Sequence, residues 1–421
     1  MKEEHSPQTP PAPISERTIL LVLTSIQFTN ILDFVIMMPL GPQLMRVFSI
    51  SPQEFGFVVS AYTFSAGISG FLAAFFIDRF DRKKALLVLY SGFTVGTFLC
   101  SFAPTYLFLV GARIIAGTFG GILAATILAI VSDMVPYDRR GAAMGMIMTA
   151  FSLAQVGGVP IGLFLANHFS WHAPFVFLAS SALICMLIGA WVLPPMRSHL
   201  QSVRHDSPFQ TVKALLTDAA PQRAILFMGT LIFGGFAIFP YISPYMVSNA
   251  GRTELDLPYL YFFGGAATII SSRVVGKLAD RFGKLRVFTY LAWASLLPVI
   301  LMTNLPSVSL PVAIIVVTVF MVIVSGRAVP SLAMVTAAVH PERRGSFLSI
   351  SACVQQLSAG VASLMGGFIL GKSLGGGITN FGWVGLISCL TTVLCIFLAK
   401  GLRQVDSTPE ATPAAEAAGI G

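Results

Sequence analysis

Twelve stretches of this chain are apolar over the length a helix needs to cross a lipid bilayer, and that property excludes most other ways it could fold. A helix rises about 1.5 Å per residue and satisfies its own backbone, so roughly twenty apolar residues span the ~30 Å hydrocarbon core. Of the 421 residues, 55% are hydrophobic and 10% are charged. A soluble chain carries about a quarter charged residues. So few charges cannot cover a water-facing surface, and the surplus apolar surface must face lipid.

The runs predict helices over 18–45, 54–77, 84–102, 106–134, 142–167 and 172–194, then over 223–249, 258–279, 286–304, 310–339, 346–371 and 377–399. The expected fold class is an all-α membrane protein, with twelve transmembrane helices in two six-helix, pseudo-symmetric bundles, 18–194 and 223–399. A polar, basic cytoplasmic linker, 195–222, separates them. A cytoplasmic tail, 1–17, precedes the first bundle, and a disordered cytoplasmic tail, 400–421, follows the second. Local signals mark some boundaries. Ser51 suits an N-cap, with Pro52 at the first helical position and Glu54 completing a capping box. Pro104 breaks the turn between helices 3 and 4, and Pro240 and Pro244 imply a bend in helix 7.

The Pro-rich start is unlike a signal peptide, so helix 1 is expected to be retained. Cys100, Cys185, Cys353, Cys389 and Cys395 all fall in apolar runs without metal-ligand spacing and read as small packing residues. With both termini cytoplasmic, the inner side carries 20 of the 26 basic residues, the outer loops carry Arg46, Arg252 and Lys372, and three lie within the membrane. That asymmetry fixes an orientation. The net charge of +8 is then a topology signal, and nucleic acid is not an expected partner.

The chain also repeats itself. "DRFDRKK" begins at Asp78 and "DRFGKLR" at Asp280, 202 residues later; "DRRG" at 138–141 returns as "ERRG" at 342–345 after 204. The first pair follows helices 2 and 8, the second helices 4 and 10, so the two bundles share one orientation. Six plus six helices with a Gly-x-x-x-Asp-Arg-x-Gly-Arg/Lys turn resembles the major facilitator superfamily, whose parallel halves are an established repeat architecture. The second copy fits through Gly276, Asp280, Arg281, Gly283 and Lys284; the first departs, with Ala74 and Asp81 at the two glycine positions. "ARIIAGTFGG", holding Arg113, is similar to the helix-4 motif of drug:proton antiporters. "GGVPIG" followed by "SWHAPF" is similar to their helix-5 motif, in the form found in bacterial arabinose-efflux-permease-like exporters.

Several residues stand out as candidates. Asp33 alone among the 18 acidic residues lies deep within a predicted helix, where a carboxylate is costly and generally functional. Asp33 lies about 21 Å from the inner start of helix 1, and Arg113 about 18 Å from the inner side on helix 4. At similar depth they are plausible neighbours, either as a proton-coupling pair or as a static link. Gln27 and Asn30 share the Asp33 side of helix 1, which predicts a polar stripe on a wet cavity. Gln355 and Gln356 on helix 11 are further cavity candidates. Arg327, beside Gly326 and before Pro330, has no deep acid in its half; it could bind an anionic substrate group, cap freed carbonyls, or reach Asp33.

The basic turns read either as topology signals or as gates. Asp78 and Arg82 stand four apart and can pair. The resemblance implies that Asp78, Arg79, Arg82 and Asp133 latch helix 2 to helices 4 and 11, with Asp280, Arg281 and Lys284 as the counterpart. Ala337 replaces the Asp133 equivalent, so the latch is expected to be asymmetric. Gly157, Gly158, Pro160 and Gly162 permit close helix packing; the resemblance places it against helix 8.

The resemblance implies a proton-coupled exporter of small organic molecules, drug-like or sugar-like, working by alternating access as a monomer in a bacterial inner membrane. The proton is the coupling ion and no other cofactor is implied. The alternative is a proton symporter or facilitator importing a small metabolite, an anionic one if Arg113 and Arg327 contact it. A membrane sensor or enzyme subunit is disfavoured because no loop could hold a domain, and no Walker-type loop or metal-spaced cluster occurs.

Overall fold

The computed structural model describes residues 15–136, 138–197, 217–339, 344–373 and 375–402. Most of the two tails expected to be cytoplasmic, most of the linker and the Glu342–Arg343 part of the second repeat lie outside the described residues. The first half holds α1 (Glu16–Ile36), α2 (Pro52–Ala73), α3 (Arg82–Ser101), α4 (Tyr106–Met134), α5 (Arg140–His168) and α6 (Ala173–Val192). The second holds α7 (Ala219–Ser248), α8 (Leu257–Phe282), α9 (Lys284–Thr303), α10 (Leu310–Ala337), α11 (Arg344–Ile369) and α12 (Phe381–Lys400). Among the described residues, eleven are long and apolar enough to cross a membrane. The twelfth, α8, is long enough at 26 residues but is diluted by Thr268, Ser271, Ser272 and Arg273.

The expected cap of α2 forms in full: Ser51 accepts from the Glu54 amide, and the Glu54 carboxylate accepts from the Ser51 amide at 2.8 Å. Four predicted helices are interrupted. The run 18–45 ends as α1 at Ile36 and resumes as a short helix, Gly41–Val47, where Pro39 and Pro42 disturb the ladder. Helix α7 stops at Phe236, passes through a tight turn at Phe239–Tyr241 and resumes at Ile242–Ser248, with Pro240 and Pro244 at the bend as the sequence implied. A π-turn at Ala154–Gly158 widens α5, and α10 is broken at Arg327.

The packing shows where the halves meet. One buried cluster is shared between them, joining Leu32, Phe55 and Leu163 to Tyr241, Phe320 and Phe381. Towards the face carrying the basic turns each half keeps a separate core, around Leu86, Tyr90 and Ile127 in the first and Phe227, Phe288 and Phe347 in the second. Helices α2 and α11 form a long seam between the halves. A Cβ on Gly56 would stand 2.9 Å from the Ser363 carbonyl, and one on Gly367 3.0 Å from that of Pro52. Small residues on both sides let the backbones touch, the usual means of tight helix contact in lipid. At the far face a two-residue hairpin, β1 (Gly371–Lys372) and β2 (Ile378–Thr379), is held to the end of α7 by Asn249, which donates to and accepts from Ile378.

Candidate functional site

Asp33 is wholly buried where α1, α3 and α4 meet. Arg113 Nη1 donates to its Oδ2 at 2.8 Å, and Thr97 Oγ1 donates to its Oδ1 at 3.1 Å. Arg113 also reaches back to the Asp33 backbone carbonyl at 3.4 Å. The guanidinium carbon lies 4.4 Å from the centre of the Tyr62 ring on α2, a cation–π contact in a water-poor setting. Arg113 Nε has no hydrogen-bond partner among the described residues. The pair is therefore sealed from lipid and from water, with one donor left over.

The stripe expected to face a wet cavity turns inward. Asn30 donates to the Gly120 carbonyl of α4 at 3.1 Å, and Gln27 is buried with its Oε1 unpartnered. Helical spacing puts Gln27, Asn30 and Asp33 on one side of α1, but that side packs on the first bundle, where Gly120 of α4 leaves room for the Asn30 amide while Gly117 and Gly121 admit α2. Gln355 and Gln356 are half-buried on α11, and Gln355 donates to Ser351 one turn earlier.

Arg327 does not reach Asp33. It is turned into the second bundle, where Nη1 donates to Thr392 at 2.8 Å and Ser295 at 3.2 Å, and Nε donates to the Val324 carbonyl. Its position at the C-terminal end of Leu310–Gly326 puts the positive charge where a helix terminus favours it. The carbonyl-capping reading describes this geometry; the cavity position does not.

At the basic face Arg82 bridges two carboxylates, Asp78 at 2.6 Å and Asp133 at 3.0 Å, tying the end of α2 to the end of α4. Arg79 is exposed. In the second half Asp280 and Arg281 are exposed and Lys284 half-buried; Arg281 lies over the Phe282 ring, and the described residues include no ion pair for Asp280. The turn there passes through Gly283 at φ 93°, where the first half has Asp81 at φ −55°. The two basic turns are thus unequal, and the difference begins at the turn itself.

Asp81, which replaces a glycine of the motif, carries a contact the sequence did not reveal. It caps α3 by accepting from the Lys83 and Lys84 amides and binds Arg197 Nε at 3.0 Å, fastening the chain after α6. Burial acts to raise its pKa, but Arg197 and the amides of Lys84, Met196 and Lys83 outweigh it and hold the carboxyl below its ordinary range.

The helix-5 glycines also differ from expectation. Gly158 is filled by Leu32 and Gly162 by Ile36, both of α1, while Gly157 has open space around it. Pro160 opens the regular helix after the π-turn. Helix α8 does pack along α5, on the π-turn and on Val159–His168, and Gly265 lies against the Gln155 carbonyl and Val156; the expected contact of helix 5 with helix 8 forms, but through other faces than those of Gly158 and Gly162. A π-turn moves side chains around the helix by an extra residue, which shifts the glycines towards α1.

Among the described residues, the ion pair joining the halves lies at the far face, and nothing in the sequence signals it beyond two isolated charges. Arg46 grips Glu254 with both terminal nitrogens, the second at 3.0 Å. Gln43 donates to Asn167, and Asn167 donates to the Glu254 carbonyl at 3.0 Å. They line an open cavity of about 710 Å³ with Trp171 and Arg252. Among the described residues, each ion pair at the basic face stays within the first half. The far face is closed.

Comparison with known proteins agrees with this architecture. The profile of the Major Facilitator Superfamily matches residues 23–363 and, overlapping, 276–419. An uncharacterized MFS-type transporter of Bacillus subtilis (strain 168), YceJ, is 26% identical over 388 residues, covering 90% of this chain and 96% of its own. Multidrug resistance protein 2 of the same organism is 25% identical over 280 residues, 65% of this chain and 69% of its own. Among solved structures, a D-xylose-proton symporter superposes with TM-score 0.76 at 16% identity, covering 92% of this chain and 98% of that one. A bacterial homolog of the human lysosomal transporter Spinster, inward-facing and unoccupied, gives TM-score 0.74 at 13% identity, covering 94% and 100%. The chain belongs to the Major Facilitator Superfamily: it is an integral membrane transporter of small molecules, and not an enzyme.

Proposed function

We propose that this protein exports small organic molecules in exchange for protons by alternating access, with Asp33 as the carboxylate that takes up and releases the proton and Arg113 as its partner. The basic face is then cytoplasmic, together with both termini, in a bacterial inner membrane. The observation that carries the reading is the burial of a lone membrane carboxylate against a single guanidinium at 2.8 Å. An ionised Asp33 holds Arg113 to α1. A protonated Asp33 no longer attracts the guanidinium electrostatically, and Arg113 then rests on the Tyr62 ring. Such a pair has two arrangements that differ by one proton and by the attachment of α1 to α4.

The ends of the molecule suit alternation. Arg46–Glu254 closes the far face and has to part for that face to open, while Arg82 with Asp78 and Asp133 braces the basic end of the first half. Export is supported by the helix-5 motif and by the relative called a multidrug resistance protein. An anion importer using Arg113 and Arg327 loses support, because both guanidiniums are spent inside their own bundles.

The test uses everted vesicles with an imposed proton gradient and loaded or external solute. Wild type is expected to accumulate exported solute when the lumen is acid and to stop when the gradient collapses. Asp33→Asn is expected to lose this response and keep gradient-free counterflow. Gradient-driven transport surviving in Asp33→Asn would overturn the role of Asp33, and accumulation only with an alkaline lumen would reverse the direction.

A further inference from the structure

The two halves meet at a pair of rings related by the repeat itself. Phe34 on α1 and Phe236 on α7 are separated by 202 residues, the spacing that separates Asp78 from Asp280. They stack on each other with centroids 5.8 Å apart and planes 24° apart. Equivalent residues that touch must lie on the pseudo-two-fold axis, because a residue meets its own image only there. The helices that carry them are broken in the same way. Helix α1 ends two residues after Phe34 and resumes as Gly41–Val47; α7 ends at Phe236 and resumes as Ile242–Ser248. Pro42 and Pro244 obey the same 202-residue spacing. Paired interruptions at corresponding positions of two repeats mark the binding region in transporters of repeated design.

Around these two rings the chemistry is uniform. Tyr62 stacks on Phe34 at 5.2 Å, and Phe236 continues to Phe239 at 6.2 Å and on to Phe320 at 5.6 Å. Phe34, Phe236 and Phe239 remain partly exposed. Asp33 and Arg113 lie behind Tyr62, and Arg327 is enclosed by α9, α10 and α12. The buried charges of the membrane interior are therefore withheld from the axis. A ligand there meets ring faces and hydrocarbon.

We propose that Phe34 and Phe236 form the ring clamp of the substrate site, and that it takes an uncharged molecule with a planar aromatic group, stacked on the face of Phe34 that Phe236 covers here. This rests on the transporter reading above and narrows its substrate class; a sugar or a carboxylate finds no partner at the clamp. The break after Phe236 gives that ring freedom to withdraw, since Gly234 and Gly235 precede it and Pro240 follows. Phe34 lies about 27 Å along α1 from its basic-face end, so the clamp sits towards the far side of the contact between the halves.

The test is equilibrium binding to the purified full chain in nanodiscs without any gradient, using radiolabelled naphthalene-2-carboxamide, D-glucose and benzoate. Wild type is expected to bind the naphthalene compound in preference to the other two. Phe34→Ala and Phe236→Ala should each weaken that binding at least tenfold, and Phe34→Trp should restore it to within about threefold, all with wild-type elution on gel filtration. Should either alanine variant aggregate, Phe34→Leu or Phe236→Leu replaces it with the same expectation, because leucine fills the space without a ring face. Equal binding to wild type and the variants, preference for glucose or benzoate, or no binding of the aromatic compound would each overturn the clamp. Because no proton gradient enters the measurement, a failure of Asp33 in the vesicle assay leaves this outcome unaffected.

Discussion

Removing one partner of the Asp33–Arg113 pair at a time should reveal a coupling that neither change shows alone. Both side chains are almost completely enclosed, at 0% and 1% exposure, so solvent screens little of their attraction. At a charge separation of about 4 Å and an effective dielectric of about 20, that attraction is roughly 4 kcal/mol. Stranding one buried charge typically destabilises by about 3–5 kcal/mol. Asp33→Asn strands Arg113, and because the Tyr62 ring lies beneath the guanidinium before and after the change, the loss should be the full cost, roughly 3–5 kcal/mol. Arg113→Gln strands the carboxylate and also gives up the ring contact, about 0.5–2 kcal/mol more, so it should be the more damaging change. The double variant removes both charges and is expected to lose less than the two single losses added together, with a coupling of at least about 2 kcal/mol. The measurement is reversible denaturant unfolding in detergent for the four proteins of the cycle. Additive losses, within about 0.5 kcal/mol, would mean that the two groups do not stabilise each other, and the proton mechanism built on their separation would fall with it.

Three further outcomes follow from other contacts. Arg46→Ala should favour opening of the far face by up to about fivefold, since a surface bidentate pair contributes at most about 1 kcal/mol; the readout is the labelling rate of a cysteine placed at Ala166, which is buried at that face, and an unchanged rate refutes the gate. Asp81→Asn should speed tryptic cleavage after Arg197 severalfold at pH 7. In wild type the Asp81 anchor stabilises above the ordinary carboxylate range and is lost only as pH falls through its depressed pKa, so cleavage should stay constant between pH 6 and 8; a rise within that window contradicts the assignment. Arg327→Met keeps the volume and removes the charge, so it should alter stability by less than about 1.5 kcal/mol and leave transport intact, whereas loss of substrate binding would restore it to the cavity.

Much of this molecule is legible in its sequence because bilayer thickness leaves few choices. Helix number, the duplication and the cap at Ser51 all follow from run length, spacing and local hydrogen bonding. Even the meeting of Asp33 with Arg113 follows, since two residues at equal depth on helices of one bundle have few other places to go. What a single helix cannot announce is the direction it faces. Gln27, Asn30 and Asp33 share one side of α1, and whether that side looks at a cavity or at α4 depends on Gly120, 90 residues from Asn30. Arg46 and Glu254 are 208 residues apart, one in a seven-residue helix and one in a single helical turn, elements too short to show periodicity, so nothing in either neighbourhood points to the other. The π-turn in α5 is a single extra residue per turn, which hydrophobic spacing does not resolve, and it redirects Gly158 and Gly162 from the expected neighbour to α1.

The glycine-lined contact of α2 with α11 has a mechanical consequence. Gly56 and Gly367 bring backbone against backbone, while Gly67 takes the Leu357 side chain and Gly360 meets Thr63 and Phe64. Knobs seated in glycine sockets fix the register of α2 along α11, so the seam resists sliding and can turn only about its own line, as a hinge pin does while the ends of the molecule part. A β-branched residue at Gly360 would push Thr63 and Phe64 from their socket and work that pin loose.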